Sequence, residues 1–263
     1  DVRFSPDGNT IATASSDGTA KLWRKDGSLV TTLKGHSAAV YDVRFSPDGN
    51  TIATISSDGT AKLWRKDGSL VTTLAGHSAA VVDLQFSSDG NTIATASFDG
   101  TAKLWHKDGS LVTTLKGHNA AVEDVRFSPD GDTIATASID RTAKLWRKDG
   151  SLVTTLAGHS AAVYGVRFSP DNNTIATASR DGTAKLWHKD GSLVATLGHS
   201  NDVEDVRFSP DGNTIATASR DGTAKLWSKD SSLNWRELHP CLQLKGYLQS
   251  SPLVEQEEEH LCD

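Results

Sequence analysis

Five times along the chain a His, a Ser, an Asp and a Trp recur at fixed offsets. The sets are His36/Ser56/Asp58/Trp64, His77/Ser97/Asp99/Trp105, His118/Ser138/Asp140/Trp146, His159/Ser179/Asp181/Trp187 and His199/Ser219/Asp221/Trp227. Ser, His and Asp are the residue types of nucleophilic acyl transfer, where the base must hydrogen-bond the nucleophile and an acid must orient the base. A hydrolase needs one such centre, opening on a cleft with an oxyanion site. A constellation repeated throughout points instead to a task carried out in every repeat. Satisfying buried polar groups is such a task. A hydrolase built on a single Ser/His pair is the weakest of three functional classes that the residues allow.

The elements that hold these residues are themselves repeated. Thr60-Ala61-Lys62-Leu63-Trp64 recurs unchanged, ending at Trp23, Trp64, Trp105, Trp146, Trp187 and Trp227, at intervals of 41 residues and a last interval of 40. A period in this range marks a repeat architecture. Within residues 35–75, four short β-prone runs (40–46, 51–56, 60–65 and 69–74) are divided by Pro47-Asp48-Gly49, Asp58-Gly59 and Asp67-Gly68. Asp-Gly between such runs is a strong hairpin signal, so each repeat is predicted to form a four-stranded antiparallel meander. Val43, Phe45, Ile52, Leu63, Leu70 and Leu74 put apolar groups on both faces. One small sheet cannot bury both faces alone, so neighbours must stack, and a ring of radially packed sheets follows.

Gly-His, about two dozen residues, Ser-x-Asp and then Leu-Trp resembles the WD-repeat β-propeller family over residues 1–234. The namesake Asp after Trp is missing: Arg65, His106, Arg147, His188 or Ser228 stands there. The resemblance implies an all-β, six-bladed propeller with blades at 1–34, 35–75, 76–116, 117–157, 158–197 and 198–234. The first blade lacks its Gly-His lead, and residues 233–238 must serve as the outer strand of the sixth. Closure is then expected from side-chain packing between blades one and six, with an open arc of a larger ring as the alternative. The resemblance also gives the His/Ser/Asp/Trp sets a structural role, a buried hydrogen-bonded chain from the indole N–H through Ser and His to Asp.

Residues 235–263 break the pattern, with six acids against two bases. They are read as an acidic tail with one helix over 241–249 and another after Ser251-Pro252. The spacing of Cys241, Leu244, Tyr247, Leu248, Pro252, Leu261 and Cys262 resembles a segment that follows the repeats in large bacterial, notably cyanobacterial, WD-repeat proteins. That implies the C-terminal sensing or scaffolding part of a larger signalling protein in the cytoplasm. Cys241 and Cys262, the chain's two cysteines, are then expected to be a reduced pair.

Other chemistries find little support. The Gly-His histidines occur one per repeat, the Asp-Gly turns lack the spacing of a calcium loop, and no Gly-rich phosphate cradle precedes a Lys, so neither metal nor cofactor is expected. The formal charge of −6 lacks the basic bias of a nucleic-acid binder. No apolar run approaches the roughly 18 residues that cross a bilayer.

Two positions change chemical type among otherwise near-identical copies. The first is Tyr41, Val82, Glu123, Tyr164 and Glu204; the second is Ser16, Ser57, Phe98, Ile139, Arg180 and Arg220. Strand direction places both on one face, the top, near the central channel, and Asn201-Asp202 adds an acidic edge there. The opposite face, with Arg44 and Lys66, is expected to be a mixed-charge solvated surface. Aromatic and Arg residues are enriched in binding hot spots. The expected function is therefore a non-enzymatic scaffold that binds a protein or peptide through Tyr41, Val82, Phe98, Glu123, Ile139, Tyr164, Arg180, Asp202, Glu204 and Arg220. A small-ligand or glycan-binding propeller is the second class. Near-identical blades also invite swapping and self-association.

Overall fold

The computed structural model describes residues 1–229 and 235–238. They form six four-stranded sheets, each built from four consecutive antiparallel strands. The sheets occupy residues 2–34, 40–75, 81–115, 122–157, 163–198 and 203–237, and are numbered one to six below. Among the described residues there is no helix. Both expected tail helices, together with Cys241 and Cys262, lie outside the described residues. Trp235–Glu237 pairs with Ala224–Lys229 as the outer strand of sheet six, so the blade extends past residue 234.

Turn chemistry explains the meander. In sheet two, Ser46 Oγ donates to Asp48 Oδ1 at 2.5 Å and the Asn50 N–H donates to the same oxygen at 3.0 Å, closing the first turn. The second turn needs Gly59, at φ +82, because a Cβ there would lie 3.2 Å from the Ala79 carbonyl of the next sheet's lead. Sheet four places Arg141 at this position with φ 73.

Alternation along the strands decides which residues face a neighbour. Between sheets two and three, Ala53, Ile55, Ala61, Leu63 and Leu74 meet Val81, Leu84, Ile93, Trp105 and Phe86. The same pairing recurs between sheets three and four, four and five, five and six, and one and two. No core of this kind joins sheet six to sheet one among the described residues. Val2 and Phe4, which would face sheet six, are 54% and 66% exposed. Among the described residues the expected packing of blade one against blade six is therefore not seen, and five interfaces between neighbouring sheets are filled.

Candidate partner-binding face

The repeated polar sets lie inside the sheets. In sheet two, Trp64 Nε1–H donates to Thr54 Oγ1 at 2.9 Å, Thr54 meets His36 Nε2 at 2.8 Å, and His36 Nδ1 meets Asp58 Oδ2 at 2.8 Å. A carboxylate only accepts, so Nδ1 carries the hydrogen, and Nε2 accepts the Thr54 hydroxyl proton. Burial pushes the His36 pKa down, against the attraction of Asp58, which keeps the ring neutral. Burial alone would raise the Asp58 carboxyl. Hydrogen bonds from Thr60, His36 and Ser37 outweigh it and hold its pKa at about 2.

The same chain repeats through Thr95, Thr136, Thr177 and Thr217, with every link between 2.7 and 2.9 Å. It ties each Gly-His lead to the Ser-x-Asp turn of its own sheet.

The serines do not occupy the link expected of them. Ser56 Oγ donates to the Ala38 carbonyl at 3.2 Å and accepts the Asp58 N–H at 3.1 Å. Ser97, Ser138, Ser179 and Ser219 bridge turn and lead in the same way. The reason is reach. Trp64 pairs with Ile52; Thr54 is two residues along that strand, about 7 Å, whereas Ser56 is about 13 Å away. With both ring nitrogens committed to Thr and Asp, none of these five histidines is paired with the Ser of its own set. In sheet one the chain stops at Thr13, which accepts from Trp23 Nε1 at 2.9 Å.

Around the channel runs a belt of Asp and Arg that sequence reasoning missed. Arg44 meets Asp42 at 2.7 Å and Asp83 at 3.3 Å. Arg126 meets Asp83 at 2.6 Å and Asp124 at 2.8 Å, and Arg167 meets Asp124 at 2.5 Å and Asp205 at 3.3 Å. Arg44 therefore lines the channel, where ion pairing across sheets holds it, and is not part of the solvated bottom surface. The belt has two breaks: Gln85 replaces an Arg in sheet three, and Gly165 replaces an Asp in sheet five. Burial pushes the Asp83 carboxyl up, against the pull of Arg126 and Arg44, and the neighbouring Asp124 adds to the rise. Asp124 is held low despite burial, because Arg126 and Arg167 both face it.

Above the belt lies the first variable set. Val40 pairs with Ser56 and Asp42 with Ile55, so Tyr41 is the extra residue of a β-bulge. Val82, Glu123, Tyr164 and Glu204 occupy the same bulge in their sheets. A bulge leaves its residue unpaired and re-aims the side chain. Here all five line one cavity of about 490 Å³ at the channel mouth, together with Asp42, Arg44, Asp83, Asp124, Arg126 and Arg167. Burial raises the Glu123 carboxyl, with the nearby Asp124 adding to the effect.

The second variable set forms a rim against this mouth. The Phe98, Ile139, Arg180 and Arg220 N–H groups each donate to the carbonyl just before an inner strand, at Ala80, Ala121, Ala162 and Asp202. Phe98 and Ile139 are nearly half exposed. Arg180 reaches Asp202 of the next sheet at 3.4 Å, and Arg220 pairs with Glu204. The sequence carried one sign of the bulge: Val40 and Val43 are both buried although three residues apart, which breaks the two-residue period.

The family described as WD domain, G-beta repeat matches residues 1–24, 27–65, 68–106, 109–147, 150–188 and 191–228. The chain belongs to the WD-repeat family. Each full family match begins before the outer strand of one sheet and ends with the third strand of the next, so each unit of WD sequence bridges two blades. Among curated proteins nothing matches. WD repeats generally serve as protein-interaction scaffolds. In this WD-repeat chain the described residues contain no cluster of three or more His, Cys, Asp or Glu suited to a metal.

Proposed function

We propose that this WD-repeat chain is a scaffold that binds a protein or peptide through its top face, centred on the channel mouth. One observation carries the reading. The residues that change type between copies, Tyr41, Val82, Glu123, Tyr164 and Glu204, are bulge residues that converge on a single cavity. The rim residues Phe98, Ile139, Arg180 and Arg220 extend that surface outward. Aromatic side chains, a desolvated Glu and Arg/Asp pairs offer both apolar anchoring and directional polar contacts.

In this reading the chain catalyses nothing and engages neither nucleic acid nor membrane. The resemblance of the Cys241–Cys262 spacing extends it to a larger bacterial signalling protein in the cytoplasm.

The test is selection of peptides from a random display library on the whole chain. The counter-bait is a variant with Tyr41, Phe98, Glu123, Ile139, Tyr164 and Arg180 all changed to Ser. The expected result is a consensus family of peptides that binds the chain and not the variant. Peptides that bind both equally would sink the reading.

A further inference from the structure

The inner strands of sheets two, four and six each set an Arg against the Asp two residues before it. Arg44 meets Asp42 at 2.7 Å, Arg126 meets Asp124 at 2.8 Å and Arg207 meets Asp205 at 2.8 Å. In sheets two and six the Arg makes this contact through Nε. Sheet five breaks the pairing, because Gly165 stands two residues before Arg167. Among the described residues, Arg167 Nε is buried and has no hydrogen-bond partner. Its Nη atoms reach into the flanking sheets instead, to Asp124 at 2.5 Å and Asp205 at 3.3 Å. Burial pulls the Arg126 guanidinium down, but Asp124 and Asp83 outweigh it and the pKa rises. At Arg167 burial wins, despite the pull of Asp124, and the pKa falls.

The place of the missing side chain is open. A Cβ on Gly165 would find nothing nearer than Ala178 Cβ and Asp124 Oδ2, both at 3.8 Å, which is ordinary contact. Gly165, Arg167 and Tyr164 line the cavity of about 490 Å³ at the channel mouth. A buried donor left unpaired is costly, most of all on a charged group, so a guest that supplies the acceptor gains more here than at a surface Arg.

We propose that this notch takes a carboxylate from the bound partner, seated where the sister sheets hold their own Asp. This rests on the scaffold reading above: the partner that the mouth selects is a peptide with an accessible Asp, Glu or C-terminal carboxylate. Asp124, Asp205, Glu123 and Glu204 are the groups at the mouth that would repel it. Arg167 already holds Asp124 and Asp205, and Arg220 holds Glu204. Burial raises the Glu123 carboxyl, which favours its neutral form.

The first probe is acetate, which has the size of the missing Asp side chain. It is titrated into the whole chain carrying nitrogen-labelled arginine, with chloride as the ionic control. The Arg167 Nε–H resonance should shift, with a Kd on the order of 10 mM. Gly165→Asp supplies the carboxylate internally. It should abolish the acetate response and raise the Tm by more than Gly165→Ala, which adds the Cβ alone. The second probe is the random peptide library. Peptides that bind the chain and not the variant with top-face residues changed to Ser should carry a carboxylate. Changing that acid to its amide should weaken binding about tenfold or more on the chain and little on Gly165→Asp. Amidating the C-terminus separates a terminal carboxylate from a side chain.

No acetate shift at Arg167, or an equal shift in Gly165→Asp, overturns the notch. Top-face peptides that carry no acid, or that bind Gly165→Asp unchanged, leave the scaffold reading standing and overturn the carboxylate site. An acetate shift without any peptide that tells the chain from the Ser variant sinks the scaffold reading, and the guest is then a free small carboxylate. If acetate acts only once Glu255, Glu257, Glu258 and Glu259 are changed to Gln, the chain's own end fills the notch and a partner does not.

Discussion

Sheets one and four share almost the same residues and reach different states. Both contain TIATAS and TAKLW, and both place the indole N–H on a Thr, Thr13 or Thr136. In sheet four, Trp146 is 1% exposed, and its hydrogen-bonded chain continues through His118 to Asp140. In sheet one, Trp23 is half-buried and the chain ends at Thr13. The sequence of a repeat is enough to make a sheet; the neighbour on either side makes it a core. In a solenoid-like array, stability is a sum of intrinsic and interface terms, and among the described residues sheet one has one interface fewer than sheet four.

The sharpest test of this difference is a matched pair of truncations. Trp146→Ala should cost about 3–5 kcal/mol, as expected for a large aromatic removed from a closed core. Trp23→Ala should cost less than half as much, because solvent already reaches it. Urea unfolding of both variants measures this, and equal costs would show that sheet one is as well packed as sheet four.

The belt offers a second pair. Asp124→Ala leaves Arg126 and Arg167 buried without their shared carboxylate, at a cost of about 3 kcal/mol. Arg207→Ala removes a mostly exposed ion pair in sheet six, and its unfolding midpoint should move little.

Acid should separate inner sheets from the first. Burial lowers the pKa of His36, His77, His118 and His159 below the unfolded value near 6.5. The unfolded chain therefore takes up protons first, so stability is full above that value and declines as pH falls through it. Asp58, Asp140 and Asp181, held at about 2, add a second decline from about pH 4 down to about 2. Hydrogen exchange of the indole N–H groups should show Trp146 losing protection between pH 7 and 5, with Trp23 already fast and nearly indifferent. A parallel response of both indoles would break the comparison.

The smallest expected effect lies in the turns. Arg141 holds φ 73 where sister sheets use Gly, so Arg141→Gly should stabilise by about 1 kcal/mol, read as a higher unfolding midpoint.

Strands and turns were legible because Asp-Gly signals and a 41-residue period constrain local structure in every copy. Details that depend on distance along a strand were not. Ser56 and Thr54 share a face of their strand, and only the spacing from Ile52, the partner of Trp64, selects Thr54. Arg44 resembled a surface residue because its partner Asp83 lies 39 residues away in the next sheet. The sequence marks Tyr41 as variable but not as a bulge, since that depends on which residues of the next strand Val40 and Asp42 oppose. The exposure of sheet one among the described residues was hidden for a related reason: sheet one has the right apolar residues, and composition does not reveal whether anything stands against them.

The two breaks in the belt have a consequence for symmetry. A ring of six identical repeats would present any guest at the channel mouth with six equivalent rotations, and choosing one among six amounts to about 1 kcal/mol of orientational degeneracy. Gln85 leaves sheet three short of a cation and Gly165 leaves sheet five short of an anion, so charge is unevenly distributed around the mouth. Those two substitutions add to the asymmetry already set by sheet one, which contributes no bulge residue, and together they favour a single azimuth.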